Sequence, residues 1–393
     1  MVKITPTAEL ARRIEGLQKN LHMAGMAGAL ILHGVNLYYF TGTVGPVCFF
    51  IPAEGTPVYL TRQRGDLPVG LPWPVKRFSR WADLSMLGEF CNLDTRVLGV
   101  ELDAIPAAVY MKIAQVFPHN RLVDIGYQIR MQRAVKSVWE IALLQETADR
   151  DQAMWEMVPR FLRTARTDIE LSAMVEGEAR RLGHVGILRL HGFNMEMSLS
   201  TITTGKNGST VSAYDVPISG TGITPAFPFG ASGTPLQAGN PILVDFGGCY
   251  EGYTTDQSRT FVLGQPRNEV VRVYKTALAV QTEVIAHMRP GATCGELFDL
   301  AGKVAEEAGL RDYFMGGAGG VPFIGHGVGL QVDELPVLAK GSRQMLTAGM
   351  VVALEPKFAL PGIGAVGIEN CFIITETGAQ RLSRGTDDLG VIH

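Results

Sequence analysis

Apolar residues in the first third of the chain follow helical and strand-like spacings in turn. They recur every three or four positions over residues 8–25, which predicts an amphipathic helix. The run GALILHG (28–34) then predicts a buried strand, and VCFFIPAEGTPVYLT (47–61) predicts a β-hairpin. Helical and strand patterns continue to alternate after it. Such alternation is typical of a small α/β domain, which we expect over residues 1–125.

Two pairs of helical patterns follow, and the second pair resembles the first in layout. The first pair covers residues 138–164, opened by the capping box SVWE (137–140), and residues 167–183. The second pair covers residues 267–289 and 293–309. Each pair is followed by strand-like sequence. We interpret the layout as an internal duplication of helix, helix and strands, with chance similarity as the alternative.

Between the two pairs lies a stretch that combines strand-like apolar residues with two acids. The sequence VDFGGCYEGYTTD (244–256) is flanked by apolar, β-prone residues, and it carries Asp245 and Asp256 on either side of a Gly-rich turn. A carboxylate among apolar strand residues costs several kcal/mol unless its charge is compensated. Two of them on one hairpin therefore predict a cation.

Three later stretches place a further potential ligand in an apolar setting. Glycines frame His326 in GHGVG, Glu355 ends the apolar run VVAL, and Glu369 lies within AVGIENCFII. Four carboxylates and one imidazole suit two divalent ions, for which Mn, Co, Fe or Zn are the candidates. For any single acid, a hydrogen-bonded structural carboxylate is the alternative. Two such ions deprotonate a shared water and polarise a carbonyl.

The amino-acid composition limits which binding partners and which cellular compartment we expect. The net charge of −3 over 393 residues gives no basis for binding nucleic acid or an anionic membrane. The five cysteines are scattered and contain no CxxC pair, as expected for a reducing compartment. No apolar run reaches the length of about 18 residues that a membrane span needs. The N-terminal residues form a helical pattern instead of a signal peptide. We therefore expect a cytoplasmic protein.

Taken together, the motifs VDFGGCYEGYTTDQSRTF, GHGVGL, LEP and GIEN resemble the pita-bread metallopeptidase family, which includes prolidase, aminopeptidase P, methionine aminopeptidase and creatinase. The resemblance covers residues 126–380, and residues 1–125 resemble the creatinase-type N-terminal domain, especially in NLYYFTG. It implies an α+β pita-bread catalytic domain with internal duplication over residues 126–393, preceded by the smaller α/β domain. It also implies a homodimer.

The same resemblance implies how the ligands divide between two divalent ions. Asp245 and Asp256 are expected to hold one ion, and His326 and Glu355 the other. Asp256 and Glu369 are expected to bridge the two ions.

Three other residues acquire expected roles by this resemblance. Arg259, in a segment similar to the family's TRTF, is expected to orient a metal ligand. Xaa-Pro peptidases carry two more histidines near the metals, and this chain has Ser212 and Asp333 at those positions. Both are candidate substrate-binding residues. A serine cannot be cationic and an ionised aspartate repels an oxyanion, so the residues around the substrate differ from those of the family.

These expectations lead to one main function and two alternatives. The main hypothesis is a hydrolase of the Xaa-Pro dipeptidase or aminopeptidase type, in which a metal-bound hydroxide attacks an amide carbonyl and Glu355 takes up the proton. Its substrate is a small peptide. The first alternative is a creatinase-like C–N hydrolase or lyase acting on a small non-peptide metabolite. The second is a non-catalytic binding module.

Overall fold

A computed structural model describes residues 3–45, 47–62, 72–91 and 97–393. The chain divides into two compact units, residues 1–133 and 134–393. The division falls near the end of the helix Gly126–Ala134, whereas the sequence places the boundary at the beginning of that helix. In the described part of the chain, no helix is long and apolar enough to cross a membrane.

The smaller unit is built on one mixed sheet. Its strands follow the order β4-β3-β2-β1-β5-β6, in which β1 pairs antiparallel with β2 and parallel with β5. The strands are β1 Gly28–Ile31, β2 Val47–Pro52, β3 Val58–Thr61, β4 Val75–Arg77, β5 Val97–Val100 and β6 Arg121–Asp124. The helices are α1 Thr7–Met23, α2 Gly34–Thr41, α3 Ala107–Val116 and α4 Gly126–Ala134, with a 3₁₀-helix at Trp81–Glu89. The predicted α/β character of this region is confirmed.

The larger unit contains the two predicted helix pairs. Its helices are α5 Val138–Trp155, α6 Val158–Leu162, α7 Asp168–Arg181, α8 Gly205–Gly208, α9 Asn268–His287 and α10 Cys294–Glu307, with 3₁₀-helices at Arg311–Tyr313 and Gly317–Gly319. Ser137 caps α5 in the predicted capping box with Glu140, and Thr167 and Thr293 cap α7 and α10. Side-chain oxygens at these positions accept backbone N–H groups that have no partner within the helix.

One predicted helix of the larger unit is interrupted. The pattern predicts a single helix over residues 138–164, but α5 ends at Trp155 and α6 begins at Val158. Pro159 explains the break, because its ring lacks an N–H and clashes with the carbonyl four residues earlier, which belongs to Trp155.

The strands of the larger unit form two main sheets and one small ribbon. One sheet has the order β17-β9-β8-β7, the other β11-β10-β12-β15-β16, and the ribbon pairs β13 with β14. The strands are β7 Ser200–Thr204, β8 Pro241–Tyr250, β9 Tyr253–Leu263, β10 Phe323–Gly327, β11 Glu334–Ala339, β12 Val351–Leu354, β13 Lys357–Leu360, β14 Gly364–Gly367, β15 Asn370–Ile374, β16 Ala379–Arg381 and β17 Gly390–Ile392. A helix pair followed by a sheet of largely antiparallel strands thus occurs twice, as the predicted α+β fold with internal duplication requires.

The hairpin β8–β9 is the longest ladder of this unit and carries the two aspartates. Its turn lies at Glu251 and Gly252, whose φ angles are 50° and 83°. Positive φ at both central residues is the requirement of a type I′ turn, whose twist matches that of the flanking strands. The tight turn keeps all ten residue pairs of the hairpin in register, from Pro241–Val262 to Tyr250–Tyr253.

Candidate metal centre

The hairpin β8–β9 places its two aspartates on one face. Asp245 pairs directly with Ser258, and Gly247 pairs with Asp256. Because paired residues and residues two apart on a strand share a face, the side chains of Asp245, Asp256 and Ser258 lie on the same side of the sheet. Asp256 is buried, whereas the Asp245 side chain is 17% exposed. The two acids thus project from the same face of the hairpin.

The second sheet supplies the other three predicted ligands. His326 lies in β10, Glu355 directly follows β12, and Glu369 directly precedes β15. Glu369 also forms an isolated antiparallel bridge with Ser258 of the hairpin. This bridge joins the two sheets at the acid-bearing positions. All five predicted metal ligands therefore meet in one cluster.

A sixth side chain, Lys357, lies among these carboxylates. Its Nζ donates hydrogen bonds to Asp245 Oδ2 at 2.6 Å, and to Glu355 Oε2 and Glu369 Oε2 at 2.8 Å each. Sequence reasoning missed this residue, although a signal was present. Lys357 opens the apolar strand KFAL, and a charged residue in an apolar strand is the anomaly by which the acids were recognised.

His326 faces the carboxylate oxygens that Lys357 leaves free. Its Nε2 lies 3.6 Å from Glu355 Oε1, 3.8 Å from Asp256 Oδ2 and 4.0 Å from Glu369 Oε1. Its Nδ1 lies 3.2 Å from the carbonyl oxygen of Gly327. A proton on Nδ1 satisfies that carbonyl and leaves the Nε2 lone pair directed at the carboxylates.

Burial and the close packing of charged groups shift the pKa values of three acids and of the lysine in this cluster. Burial raises the pKa of Asp256 well above its usual range, and the charges of Glu369 and Asp245 raise it further. Burial also raises the pKa of Glu369, and it raises that of Asp245 to about 6 against the lowering effect of Lys357. Burial alone would lower the pKa of Lys357, but the surrounding carboxylates hold it well above its ordinary value. The cluster therefore favours additional positive charge.

A divalent ion fits the side of the cluster that faces His326. One donor atom each from Asp256, His326 and Glu369 lie within 4.8 Å of one another. Glu369 Oε1 is buried and has no hydrogen-bond partner among the described residues, so a cation there would satisfy it. Two carboxylates and an imidazole are donors that Mn, Fe, Co and Zn accept. On the opposite side, the ammonium of Lys357 already occupies the space between the acids.

Arg259 contacts the main chain at a predicted ligand. Its Nη1 donates to the carbonyl oxygens of Ser258 and Glu369 at 2.8 Å each, and its Nη2 donates to Asn370 Oδ1 at 2.8 Å. The guanidinium therefore fixes the backbone at the bridge between the two sheets. Whether this also orients the Glu369 carboxylate stays a prediction.

The two predicted substrate-binding residues make local hydrogen bonds. Ser212 Oγ donates to the carbonyl oxygen of Tyr214 at 2.7 Å and accepts from its N–H at 3.1 Å. Asp333 accepts the backbone N–H groups of His191 and Gly192 at 2.7–3.0 Å. Burial raises the pKa of Asp333, and these two hydrogen bonds and the charge of His326 oppose the rise.

Comparisons with known proteins agree with this fold. Residues 142–376 match the model of metallopeptidase family M24, and residues 13–135 match the creatinase/prolidase N-terminal domain. The Xaa-Pro dipeptidase of Pyrococcus furiosus is 26% identical over 97% of this chain and 100% of that protein.

Solved structures show the same fold over nearly the whole chain. The dipeptidase PepE of Mycobacterium ulcerans superposes with a TM-score of 0.80 at 25% identity, covering 99% of this chain and 100% of that one. The X-Pro aminopeptidase of Thermotoga maritima superposes with a TM-score of 0.79 at 21% identity, covering 96% and 99%.

A duplicated α+β unit with a cluster of acids between its sheets is typical of metal-dependent peptidases. The chain belongs to metallopeptidase family M24. The resemblance to pita-bread metallopeptidases and the main hypothesis of a metal-dependent hydrolase are confirmed, and the two alternative functions are disfavoured. The family implies divalent metal ions.

Proposed function

We propose that this protein is a Xaa-Pro peptidase that releases the N-terminal residue from short peptides with proline in second position. The observation that carries the proposal is the convergence of Asp256, His326 and Glu369, whose donor atoms lie within 4.8 Å of one another. The names of relatives support the substrate class, since they include Xaa-Pro dipeptidases of two Pyrococcus species.

The proposed ligands are the five side chains predicted from the sequence. Asp245, Asp256, His326, Glu355 and Glu369 provide oxygen and nitrogen donors for a divalent ion, with Mn, Co, Fe and Zn as candidates. A bound ion supplies Lewis acidity, which polarises a peptide carbonyl and acidifies water. The sequence predicts two ions, and that number stays a prediction.

Glu355 is the proposed proton acceptor. Its Oε2 is held by Lys357 at 2.8 Å, and its Oε1 lies 3.6 Å from His326 Nε2 on the open side of the cluster. One carboxylate oxygen is therefore held by the lysine, while the other faces His326 and the proposed metal position. In this role Glu355 accepts a proton from the attacking water and returns it to the leaving proline nitrogen.

Further features of the proposal concern the substrate pocket and the assembly. Asp333 is proposed to shape the pocket by holding the loop at His191 and Gly192. Ser212 is proposed to contribute through the turn that it closes with Tyr214. We also propose a cytoplasmic homodimer. All five cysteines are free, as a reducing compartment favours.

Matched dipeptides test this function. Protein stripped of metal with a chelator and reloaded with Mn²⁺ or Co²⁺ should cleave a dipeptide ending in proline, and should leave the same dipeptide ending in alanine largely intact. The variant Glu355→Gln should lose about 10²–10⁴-fold in kcat, the usual contribution of a general acid–base. The exposed Glu376→Gln on the same unit is the control and should keep full activity.

Two results would contradict the proposal. One is the absence of cleavage of every proline dipeptide with each of the four candidate metals. The other is full activity of Glu355→Gln. A screen of small C–N compounds on the same preparation identifies a non-peptide substrate if the peptides fail.

A further inference from the structure

Lys357 contacts carboxylates from three separate segments of the larger unit. Asp245 lies in β8, Glu355 follows β12 and Glu369 precedes β15, and each accepts a hydrogen bond from Nζ at 2.6–2.8 Å. An ammonium has three N–H donors, so these three acceptors satisfy it completely. The side chain is 3% exposed, so the ammonium is shielded from bulk water.

The fold holds the lysine in this place. Lys357 begins β13 and pairs with Gly367 of β14, and its carbonyl oxygen accepts the N–H of Met315 at 2.7 Å. A Cβ at Gly367 would lie 2.7 Å from Lys357 Cγ, so only glycine leaves space for the lysine stem. The ammonium is therefore positioned by a strand and by a complementary glycine, as a built feature of the site.

The two shared glutamates divide their oxygens between two positions. Glu355 and Glu369 each direct Oε2 to Lys357, while their Oε1 atoms lie 3.6 and 4.0 Å from His326 Nε2. Asp245 is the third acceptor around the ammonium of Lys357, and Asp256 Oδ2 is the third carboxylate oxygen facing His326 Nε2. The cluster thus has two adjacent cation positions bridged by two carboxylates, and the protein itself fills one of them.

A metal ion and the ammonium cannot share the first position. An ion of this class binds carboxylate oxygen at about 2.0–2.2 Å. Lys357 Nζ lies 2.6–2.8 Å from the same three oxygens, so an ion bonded to them would lie within the volume of the ammonium. Binding there requires the ammonium to move away and lose all three hydrogen bonds.

We infer that Lys357 replaces the second metal ion, and that the centre binds one divalent ion tightly, through Asp256, His326 and Glu369 with Glu355 beside them. This inference rests on the proposed metal dependence of the peptidase and revises the two-ion expectation of the sequence. The ammonium supplies a fixed positive charge between the acids, where a second ion would otherwise lie.

Metal counting tests the inference. Chelator-stripped, full-length protein is titrated with Mn²⁺, and bound metal is measured by equilibrium dialysis with elemental analysis. The wild type should bind one equivalent tightly. Lys357→Ala should bind a second equivalent, because the oxygens of Asp245, Glu355 and Glu369 are then free. Lys303→Ala, which changes an exposed lysine of the same unit, should behave as the wild type.

Electron paramagnetic resonance of the same samples gives a readout independent of activity. One Mn²⁺ per protein gives an isolated six-line signal, whereas two ions bridged by carboxylates couple and broaden it. Lys357→Met, which keeps the side-chain volume without the charge, is a matched control, and Lys357→Gly serves if Lys357→Ala fails to fold. Met still fills the position, so this variant should bind one equivalent at most, whereas Lys357→Gly should bind two.

The outcomes separate the inference from the proposed function. Two tight equivalents and a coupled signal in the wild type overturn the inference and leave the peptidase proposal intact. One equivalent in the wild type and in both Lys357→Ala and Lys357→Gly also overturns it, because the lysine then does not limit the count. No bound metal in any protein overturns the proposed metal dependence itself, and the inference with it.

Discussion

The buried carboxylate of Asp151 makes the stability of the larger unit depend on pH. Asp151 lies on α5 and is 1% exposed. Its Oδ2 accepts a hydrogen bond from Thr255, whereas Oδ1 is buried with no hydrogen-bond partner among the described residues. Gly248 packs so closely against this carboxylate that a side chain there would collide with it. The acid is held in an apolar setting with little to stabilise its charge.

The sign and size of the effect follow from this burial. Burial raises the pKa of Asp151 to about 7, from an ordinary value of 3.8, against the opposing hydrogen bond from Thr255. The folded protein therefore keeps a proton between pH 4 and 7 that the unfolded chain has lost, and stability falls as the pH rises through this window. The full cost of ionisation above pH 7 is about 4 kcal/mol. Between pH 5 and pH 8 the loss is about 3 kcal/mol.

The variant Asp151→Asn isolates this contribution because asparagine does not titrate. Urea unfolding of metal-free wild type and variant at pH 5 and pH 8 gives four free energies of unfolding. The advantage of the variant over the wild type should be about 3 kcal/mol larger at pH 8 than at pH 5. Asp149→Asn, which changes an exposed acid of the same helix, is the control and should show no comparable pH dependence. An equal difference at both pH values would refute the reasoning.

Three further variants test contacts around the site. Lys136→Met should lower the free energy of unfolding in urea by about 3–5 kcal/mol. The variant leaves the carboxylate of Glu334, which lies 3.1 Å from Lys136 Nζ, buried without its ammonium. Adding Glu334→Gln should recover part of the loss, and additive effects of the two substitutions would contradict a coupled pair. Arg259→Lys should cost about 2 kcal/mol, since a single ammonium cannot replace the planar fork in which Nη1 bonds two carbonyls and Nη2 bonds an amide, and a stable variant would exclude the bracing role. Asp333→Ala should speed amide hydrogen exchange at Gly192 by about 10-fold or more, and unchanged exchange would show that the carboxylate does not hold this loop.

The site residues that are easiest to predict from the sequence are charged residues within apolar, strand-like segments. Asp245 and Asp256 stand out because strands alternate and because a buried charge is costly, and the structure places both on one face of a hairpin. Glu355 and Glu369 stand out in the same way at the ends of apolar strands. The caps of the long helices are equally local, since Ser137 and Thr293 bond to residues three positions away.

Features that depend on distant segments were harder to predict. Asp333 lies close to His191 only after folding, and its hydrogen bonds to that loop span more than a hundred residues of sequence. Lys357 is recognisable in the sequence as a charged residue in an apolar strand, but its three hydrogen-bond acceptors lie in or next to three other strands. The family motifs identify the expected metal ligands, but they do not show that the ammonium of Lys357 lies among them. Tertiary geometry alone shows this.

The charges of the cluster explain why the lysine matters for the number of ions. Asp245, Asp256, Glu355 and Glu369 carry four negative charges when ionised. Two divalent ions alone would balance them, whereas Lys357 with two ions would leave an excess positive charge in a buried site. Lys357 with one ion leaves a single negative charge, which partly exposed Asp245 can share with solvent. An ammonium fixed by the strand β13 also requires no metal for its own stability. The apo cluster is thereby partly neutralised before any ion arrives, and the remaining charge lies beside His326, on the side where the ligand geometry fits a metal.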